Sequence, residues 1–539
     1  MSHQPTKEAW SSRLGVILAV AGSAVGLGNF LRFPGLAAQY GSGAFMIAYF
    51  TSLIILGIPI CWAEWTLGRY GGQHGFNSSP GIFHFLIRHP VGKYLGAIGV
   101  VIPVVIYMYY VCVEAWCVGY ATFFLTGRLN LGSDVGAYRD FFAGFTGSAA
   151  DGSVMTLSRD KVTIFLLAVF VLNFYLIYRG IAKGIEFFCR YAMPLLILLA
   201  IVILVRVLTL GTPDPAKPEQ SVLNGLGYMW NPGEVGKQLA NPQLWLAAAG
   251  QIFFSLSVGF GVIINYASYL TNKNDIVLSG LTASSANEFC EVALGGLISV
   301  PAAFVFLGAA GIVGMGTFSL GFQVLPLVFA KMPFLPAFFG FAFFFLLFLA
   351  AITSSLSMLQ PGIAFLEEAL GLNRKQSVSS LGLITAIGCL FVLYHSKDLK
   401  AQDTIDFWAG TFLLFVMATI LIITFGWVVG VEKGWEEAHR GAELAIPRFF
   451  KFVMKYLSPL YLVGIFVLWV LFNVFGWNPT TGEFKPTAYV TDLTGANGAM
   501  PSPVARMSVG FVVIFTAFTF VLTALASRRW AKRPVETKG

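Results

Sequence analysis

Oxygen-bearing side chains stand at a few points inside otherwise apolar stretches of the sequence, and together they could bind a cation. Asn29, Ser255, Asn287 and the adjacent pair Thr353-Ser354 are of this kind. Ligation by oxygen, without histidine or thiolate, suits a hard cation such as Na⁺ rather than a transition metal. A single hydroxyl in an apolar helix often bonds only to a carbonyl one turn earlier. The cation interpretation therefore requires that several of these residues meet in one place.

Glycines interrupt two of the apolar stretches. Gly26-Leu27-Gly28 interrupts the first and Gly259-Phe260-Gly261 the sixth. A helix that unwinds in the membrane frees carbonyls that can coordinate a cation, and N–H groups that suit a carboxylate. Paired breaks five helices apart indicate two halves of opposite orientation, which is typical of an inverted-repeat transporter. Either glycine pair alone would be better explained by close helix packing.

Charged residues inside apolar stretches are costly and are functional candidates by default. Four glutamates lie in such stretches, namely Glu64, Glu114, Glu288 and Glu291. We expect the first three to be buried structural acids paired with arginine or with backbone donors. A functional role is assigned only to Glu291.

The composition excludes a water-soluble protein. Of the 539 residues, 57% are hydrophobic and only 11% are charged, against about 25% charged in soluble chains. This excludes a cytosolic enzyme, a disordered chain and a secreted disulfide scaffold. The six cysteines lie in apolar runs and should be free thiols. The net charge of +8 fits basic loops that face a cytoplasm and anionic lipid better than it fits nucleic-acid binding.

Apolar runs of the ~20 residues needed to cross a membrane number about twelve. They are 12–38, 42–72, 90–126, 162–180, 186–211, 242–270, 276–307, 336–371, 376–396, 400–430, 448–474 and 504–527. We predict an all-α integral membrane protein with twelve transmembrane helices. Lysine and arginine are enriched on the side of the two termini, so we expect a multi-pass protein of the inner (plasma) membrane with both termini cytoplasmic.

The runs and the two breaks suggest a division of the chain. We expect a cytoplasmic N-terminal segment at 1–11, a first inverted repeat of five helices at 12–211 and a second at 242–430, two further helices at 448–527, and a cytoplasmic tail at 528–539.

The sequence resembles the neurotransmitter:sodium symporter family, in particular its bacterial amino-acid branch. The resemblance extends from about Trp10 to Arg529 and is carried by motifs in the family's order. These are Gly22 to Pro34, Gly68–Gly72, Gln251–Ser257, Asn287-Glu288, Thr353-Ser354-Ser355 and Asp406–Gly410. The resemblance implies an inverted five-plus-five helix repeat with broken first and sixth helices. It also implies sodium-coupled uptake of an amino acid by alternating access.

Two sodium sites follow from the resemblance. The first would use the Ala24 carbonyl, Asn29, Ser255, Asn287 and the substrate's own carboxylate, which would couple ion and substrate directly. The second would use the carbonyls of Gly22, Val25 and Ala350 and the hydroxyls of Thr353 and Ser354.

The resemblance also implies a substrate pocket. The backbone of Leu27 and Gly28 and the Tyr110 hydroxyl would hold a carboxylate, and the carbonyls of Ala24, Phe254 and Ser257 an ammonium. The side-chain cavity would be lined by Ile106, Tyr110, Phe254, Ser257, Phe260, Ser354 and Met358. Monoamine-transporting members carry aspartate where this chain has Gly26, so the substrate should bring its own carboxylate. With no charged lining residue, a small apolar α-amino acid is expected.

Two gates carry over from the family. Outside, Arg32 would pair with Asp406 above a lid of Tyr110 and Phe254. Inside, the family's arginine–aspartate pair is replaced by Lys7 and Glu368, beside Trp10. Lysine lacks the bidentate fork of arginine, so the inner gate should be looser. An ordinary cytoplasmic lysine explains Lys7 equally well.

Glu291 replaces a neutral residue of chloride-dependent relatives, which bind Cl⁻ between groups that match Tyr49, Gln251, Ser255 and Asn287. A covalent negative charge there would offset the nearby Na⁺, so no chloride requirement is expected. When Na⁺ and substrate leave, a lone buried carboxylate becomes costly, and Glu291 would then bind a proton. A buried structural glutamate is the alternative.

Other functions remain open at this point. A proton-coupled carrier or an amino-acid sensor could share this fold. An enzyme is disfavoured because none of the six histidines lies in the middle of a span. We expect a monomer or homodimer in the lipid bilayer, without a nucleic-acid partner.

Overall fold

The computed structural model describes residues 10–40, 42–231, 234–312, 316–478, 481–498 and 500–531. Within these ranges the regular structure is helical, apart from one isolated bridge between Trp477 and Phe484. Nine helices of the described part are long and apolar enough to cross a membrane, and a bent pair makes a tenth. The predicted all-α membrane class is confirmed.

Twelve helices or broken helices lie at the twelve predicted apolar runs, in the same order. They are α1 (Arg13–Ala24 and Gly28–Tyr40), α2 (Gly43–Gln73), α3 (Gly92–Leu125), α4 (Val162–Tyr178), α5 (Ile181–Leu208), α6 (Pro242–Leu256 and Val262–Ala267), α7 (Ile276–Ile312), α8 (Pro336–Leu370), α9 (Arg374–Tyr394), α10 (Lys397–His439), α11 (Phe449–Val474) and α12 (Pro503–Trp530). The shorter α4 and the broken α6 complete the set. The predicted end of the tenth run at residue 430 coincides with Gly430, where φ of 89° and ψ of 132° separate the apolar helix from its polar last segment, Val431–His439.

The centre of the bundle is built around α3. Its most apolar stretch is 94% buried, against 22% for α12 and 28% for α11. The last two helices therefore lie at the periphery of the bundle, where many of their apolar side chains are exposed. All six cysteines are buried and free, as predicted.

The break in α1 is a bend of 43° between its two halves. The first half ends at Ala24, Val25 takes an extended conformation with ψ of 90°, and the second half starts at Gly28. The sequence predicted this break at Gly26-Leu27-Gly28.

The break in α6 requires glycine for a steric reason. Gly259 and Gly261 have φ of 81° and 79°, and Ser257 between the halves has φ of 54°. Side chains disfavour this left-handed region. A Cβ on Gly261 would also overlap the carbonyl oxygen of Gly99 on α3. The break thus lets the second half of α6 approach the central helix closely.

Short helices connect the spans. They are Ser79–Leu86, Val135–Thr146, Val222–Trp230, Thr317–Ala330 and Ala488–Thr494. The α3–α4 connection is tied to the α9–α10 connection, since the Gly152 amide donates to the Tyr394 carbonyl at 2.8 Å and the Lys397 amide to Asp151 at 2.9 Å.

Arg69 ties together three segments at one end of the bundle. This fully buried side chain on α2 pairs with Glu437 on α10 at 3.2 Å. It also donates to the carbonyls of Asn274 and Arg440, both at 2.8 Å. Such a charge is tolerated inside a protein only when its donors are satisfied.

Arg69→Gln should therefore destabilise the protein strongly. Loss of one partner of a buried ion pair costs about 3–5 kcal/mol, and the glutamine would leave the Glu437 carboxylate with only the half-exposed Arg440 guanidinium, 3.2 Å away, as its counter-charge. The measurement is the melting temperature of the purified protein, which we expect to fall by several degrees.

Arg139→Gln is the matched control for this prediction. Arg139 and its partner Asp140 are exposed and 3.7 Å apart, and such pairs contribute only about 0–1 kcal/mol. Equal melting temperatures for the two variants would show that the Arg69 network does not hold these segments.

Candidate functional site

The backbone freed by the α6 break is bound by a carboxylate. Glu64, fully buried on α2, accepts hydrogen bonds from the amides of Gly259 at 3.0 Å and Ile264 at 3.4 Å. These donors lie at the start of the second half of α6, where a helix offers unpaired N–H groups. Glu64 is thus a structural acid held by backbone donors, which was one of the two expected arrangements.

Glu114 is also buried, but its partner is different from those expected. Its two carboxylate oxygens lie 3.0 and 3.1 Å from Nδ2 of Asn173 on α4. The Ser355 hydroxyl on α8 donates to the amide oxygen of Asn173 at 2.7 Å. The expectation of an arginine or backbone partner was wrong here, because an amide side chain on a neighbouring helix supplies the donor.

A first cluster of polar side chains joins α1, α6 and α7. Asn29 Nδ2 donates to Asn287 Oδ1 at 2.8 Å, and Asn287 Nδ2 donates to Ser255 Oγ at 2.7 Å. The oxygen of the Asn29 side chain accepts from the Gly26 amide at 2.8 Å, inside the α1 break. The structure thus brings together the three side chains expected at the first sodium site.

Glu291 lies in the middle of this cluster and is fully buried. Gln251 Nε2 donates to one carboxylate oxygen at 2.6 Å, and the Ser255 hydroxyl donates to the other. The amide groups of Asn29 and Asn287 each lie 3.3 Å from that second oxygen. Among the described residues no lysine, arginine or histidine forms an ion pair with Glu291, so its negative charge has only neutral donors.

Glu288 lies beside the same cluster, which was not predicted from the sequence. The Tyr49 hydroxyl donates to Glu288 Oε2 at 2.7 Å, and it also lies within hydrogen-bonding reach of Glu291, as expected. The sequence already indicated that Glu288 lies near Glu291, because residues three apart on a helix share one face.

A second cluster joins α8 to the break in α1. The Ser354 hydroxyl lies 3.3 Å from the Gly22 carbonyl and 3.1 Å from the carbonyls of Ser23 and Ala350. Thr353 Oγ1 lies 3.1 Å from the Ala350 carbonyl and 3.0 Å from that of Leu349. Four of the five groups expected at the second sodium site are therefore adjacent. The fifth, the Val25 carbonyl, lies in the extended turn between the halves of α1.

A small cavity lies between the two clusters. Its volume is about 10 Å³, the space of about one water molecule. It is lined by Ser23, Ala24, Gly26, Gly28, Tyr110, Phe254, Ser255, Ser257, Phe260, Ser354 and Met358. None of these side chains is charged. An amino-acid-sized molecule would require the surrounding helices to move apart.

Two residues expected in the pocket do not line this cavity. Ile106 on α3 is directed toward α10, where a Cβ on Gly410 would lie 3.5 Å from its Cδ1. Leu27 contributes its backbone, since its amide donates to the Tyr110 hydroxyl at 3.2 Å. Ser23, Gly26 and Ser255 line the cavity in addition to the expected residues.

The expected outer pair is not formed. The Arg32 guanidinium lies 4.6 Å above the Phe254 ring, and its Nη1 has no hydrogen-bond partner among the described residues. Asp406 instead accepts a short hydrogen bond from the Tyr109 hydroxyl. The sequence alone does not show that the Tyr109 hydroxyl lies close enough to Asp406 to compete with Arg32 for its carboxylate.

The inner gate can be described in part. Lys7 lies outside the described residues. Glu368 accepts hydrogen bonds from the amides of Asn77 and Ser78 at 2.7 and 2.8 Å. Trp10 Nε1 donates to the Tyr266 carbonyl at 3.2 Å. The N-terminal segment is thereby attached to α6, and α8 to the α2–α3 connection.

Comparison with known proteins finds a matching family model, similar sequences and a similar solved structure. The model of the Sodium:neurotransmitter symporter family matches residues 7–139 and 148–524. A sodium-dependent transporter of Methanocaldococcus jannaschii is 30% identical over 474 residues, which cover 86% of this chain and 90% of that protein. The sodium-dependent serotonin transporter of Drosophila melanogaster is 25% identical over 512 residues, covering 89% and 78%. The crystal structure of MhsT in complex with L-phenylalanine has a TM-score of 0.73 at 27% identity, covering 86% of this chain and 99% of MhsT.

Gly26→Ala should disturb the second cluster. The new Cβ would lie 2.8 Å from Ser354 Oγ and 3.1 Å from the Tyr110 hydroxyl, so Ser354 must leave the Gly22 and Ser23 carbonyls. We expect the increase in melting temperature that NaCl gives over choline chloride to shrink or disappear. Gly464→Ala on α11 is the control, since its Cβ meets no atom within 4 Å. An undiminished sodium effect in Gly26→Ala would contradict this description of the cluster.

Proposed function

The chain belongs to the sodium:neurotransmitter symporter family, and from that premise we propose that it takes up an apolar α-amino acid together with Na⁺. Members of this family are sodium-dependent membrane transporters and not enzymes. The substrate class, the two sodium sites, the independence of chloride and the gating that follow are parts of the proposal.

The observation that carries the proposal is the position of Glu291. A fully buried carboxylate with neutral donors on all sides lies beside the oxygens of Asn29, Ser255 and Asn287. A buried charge is costly unless it is compensated. A Na⁺ bound by those oxygens and by the Ala24 carbonyl would compensate it at short range, where attraction in a low dielectric is strong.

The substrate would complete the first sodium site with its carboxylate. The carboxylate would be held by the Leu27 and Gly28 backbone and by Tyr110, whose hydroxyl already lies 3.2 Å from the Leu27 amide. The carbonyls of Ala24, Phe254 and Ser257 would accept from the ammonium. Since ion and carboxylate share a site, each raises the affinity for the other by the same factor.

An apolar side chain fits the remaining walls. Phe254 and Phe260 make a T-shaped contact with ring centroids 5.7 Å apart, and Met358 also belongs to the lining. Methionine adapts its shape easily. MhsT binds L-phenylalanine, which supports a substrate range that includes aromatic amino acids. Ile106 would reach such a side chain only after α3 and α10 shift.

A second Na⁺ would sit between α1 and α8. Ser354 already bridges the carbonyls of Gly22 and Ala350 with its hydroxyl, and an ion would bind these oxygens directly, with Thr353 and the Val25 carbonyl. Bound there, it would fix the first half of α1 against α8. Loss of this ion would free that half of α1 to move.

Alternating access would act through the two gates. Arg32 would leave the Phe254 ring and pair with Asp406 as the outer side closes, displacing the Tyr109 hydroxyl. On the inner side, Glu368 would hold Lys7 near Trp10. The repeats at 12–211 and 242–430 would supply the moving parts, in a monomer or homodimer of the inner membrane with both termini cytoplasmic.

Chloride should be unnecessary for this cycle. Gln251, Ser255 and Asn287, which match the chloride ligands of related transporters, direct their donors at the Glu291 carboxylate. Tyr49, the fourth such group, donates to Glu288 and also reaches Glu291. The fixed negative charge would thus occupy the place of the anion. Without Na⁺ and substrate, Glu291 would bind a proton and carry it on the return step.

Asn29→Ala and Thr353→Ala should each weaken the binding of Na⁺ and of the amino acid together. Each removes one oxygen ligand, from the first and second sodium site respectively. The measurement is binding of labelled amino acid to the purified protein as Na⁺ is varied, after a competition screen of all twenty amino acids.

Thr385→Ala is the matched control for Thr353→Ala. Its hydroxyl is likewise buried and bonds to a carbonyl one turn earlier, that of Leu381 at 2.8 Å, but on α9. It should leave the Na⁺ dependence unchanged. Wild-type Na⁺ dependence in Asn29→Ala or Thr353→Ala would remove that residue from the proposed site.

Glu291→Ser should make uptake dependent on chloride. It removes the fixed charge and leaves a small polar space among donors that suit an anion. Uptake into proteoliposomes is measured with external chloride or with gluconate. The wild type should transport equally in both, and the variant only with chloride.

Glu114→Gln controls for the loss of a buried carboxylate elsewhere in the membrane. Its partner Asn173 can still hydrogen-bond to the glutamine. Uptake by this variant should remain independent of chloride. The chloride proposal fails if the wild type requires chloride or if Glu291→Ser transports fully in gluconate.

A further inference from the structure

A large basic pocket lies at the end of the bundle where α12 ends and α3 begins, away from the sodium and substrate clusters. Its volume is about 650 Å³, which is in the range of sites for drug-sized ligands. It is lined by His74, Phe76, His84, Phe85, Arg88, His89, Pro90, Lys93, Ser527, Trp530 and Ala531.

The walls of this basic pocket are held by aromatic contacts. His74 stacks on Phe85 with centroids 4.3 Å apart, and its Nδ1 lies 2.8 Å from the Tyr70 carbonyl. His84 lies 5.5 Å from the Trp530 ring. Lys93 Nζ donates to the Ser527 hydroxyl at 2.8 Å, which links α3 to α12. The pocket is therefore formed by packed side chains of three segments and not by loose surface lysines.

Positive charge in the basic pocket has no counter-charge in its lining. Arg88 and Lys93 are charged, three imidazoles stand beside them, and no carboxylate is among the described lining residues. Burial and the nearby Lys93 ammonium both lower the pKa of His84. The Lys93 ammonium thus disfavours the protonated form of His84, and an anion bound in the pocket would offset this effect.

A lining residue of the basic pocket carries a buried donor without an acceptor. The Trp530 side chain is only 3% exposed, and its Nε1 has no hydrogen-bond partner among the described residues. An indole N–H can only donate, and a buried donor without a partner is unfavourable. A ligand rich in acceptor oxygens and negatively charged would satisfy the indole, the guanidinium and the ammonium together. A phosphate group has these properties.

Apolar surface continues from the pocket along α12. Val521 and Leu525, in the turns before Trp530, are 59% and 49% exposed. Tyr94 and Phe520 contact each other between α3 and α12 with centroids 5.3 Å apart. A molecule with a phosphate in the pocket could thus lay a hydrocarbon chain along these helices, as a phospholipid does at a membrane boundary.

We propose that this pocket binds the phosphate headgroup of an anionic phospholipid, with Arg88, Lys93 and the Trp530 indole as its donors. The shared chemistry is a phosphate with acceptor oxygens, and a soluble phosphate is the other possible source. The bound lipid would connect the helix Ser79–Leu86 to the end of α12.

The test is native mass spectrometry of the full-length protein with phosphatidylglycerol, with phosphatidylcholine of the same chains, and with inorganic phosphate as competitor. A charged hydrogen bond contributes enough for Arg88→Gln/Lys93→Gln to lower phosphatidylglycerol binding by about tenfold or more. Trp530→Phe keeps the ring but removes the N–H, and should weaken binding by a smaller factor. Equal melting temperatures of variants and wild type show that the fold is intact.

Arg139→Gln/Lys237→Gln is the matched control, since it also removes two positive charges but from exposed side chains that do not line the pocket. It should bind phosphatidylglycerol as the wild type does. The lipid source is supported if millimolar phosphate fails to displace phosphatidylglycerol. Displacement by phosphate, with binding of phosphate alone, overturns the lipid source. Equal binding of the two lipids, or equal loss in both double variants, overturns the site.

Discussion

Backbone groups that lose their helical partners inside a membrane must find others, and this constraint organises the centre of the molecule. At the α6 break the amides are taken by the Glu64 carboxylate. At the α1 break one amide is taken by Asn29, and two carbonyls are reached by Ser354. The side chains that satisfy the breaks are therefore largely those proposed to bind ions. A site formed in this way is specific, because each oxygen is already positioned by the fold.

The second determinant is a charge that the fold leaves uncompensated. Glu291 receives hydrogen bonds from three helices, yet its described partners are all neutral. In the proposed function a sodium ion supplies the missing charge, and the substrate carboxylate joins it on the other side. Loading the site would then draw α1, α6 and α7 together. Without Na⁺ and substrate, the buried negative charge of Glu291 would be unfavourable, and binding of a proton would neutralise it. Ion binding, substrate binding and the independence of chloride thus follow from one buried carboxylate.

Much of the fold could be predicted from the sequence, because the length of an apolar run is set by membrane thickness. The positions of both breaks followed from glycine pairs, and Asn29, Ser255 and Asn287 met as expected. What failed depended on helix rotation and on competition between partners. Ile106 faces α10, Tyr109 occupies Asp406, and Asn173 takes the place expected of an arginine at Glu114. Such details arise from how neighbouring helices turn toward each other, which a single sequence does not reveal.

The central claim is that the substrate's carboxylate and Na⁺ share one site beside Glu291. The most direct measurement is calorimetric titration of the purified protein in chloride-free sodium gluconate. It compares the apolar amino acid that binds best with the amine that lacks its carboxylate, at several Na⁺ concentrations. Affinity for the amino acid should rise with Na⁺, and the amine should show no sodium-linked binding. Equal sodium dependence for the amine, or no sodium dependence for the amino acid, would contradict it.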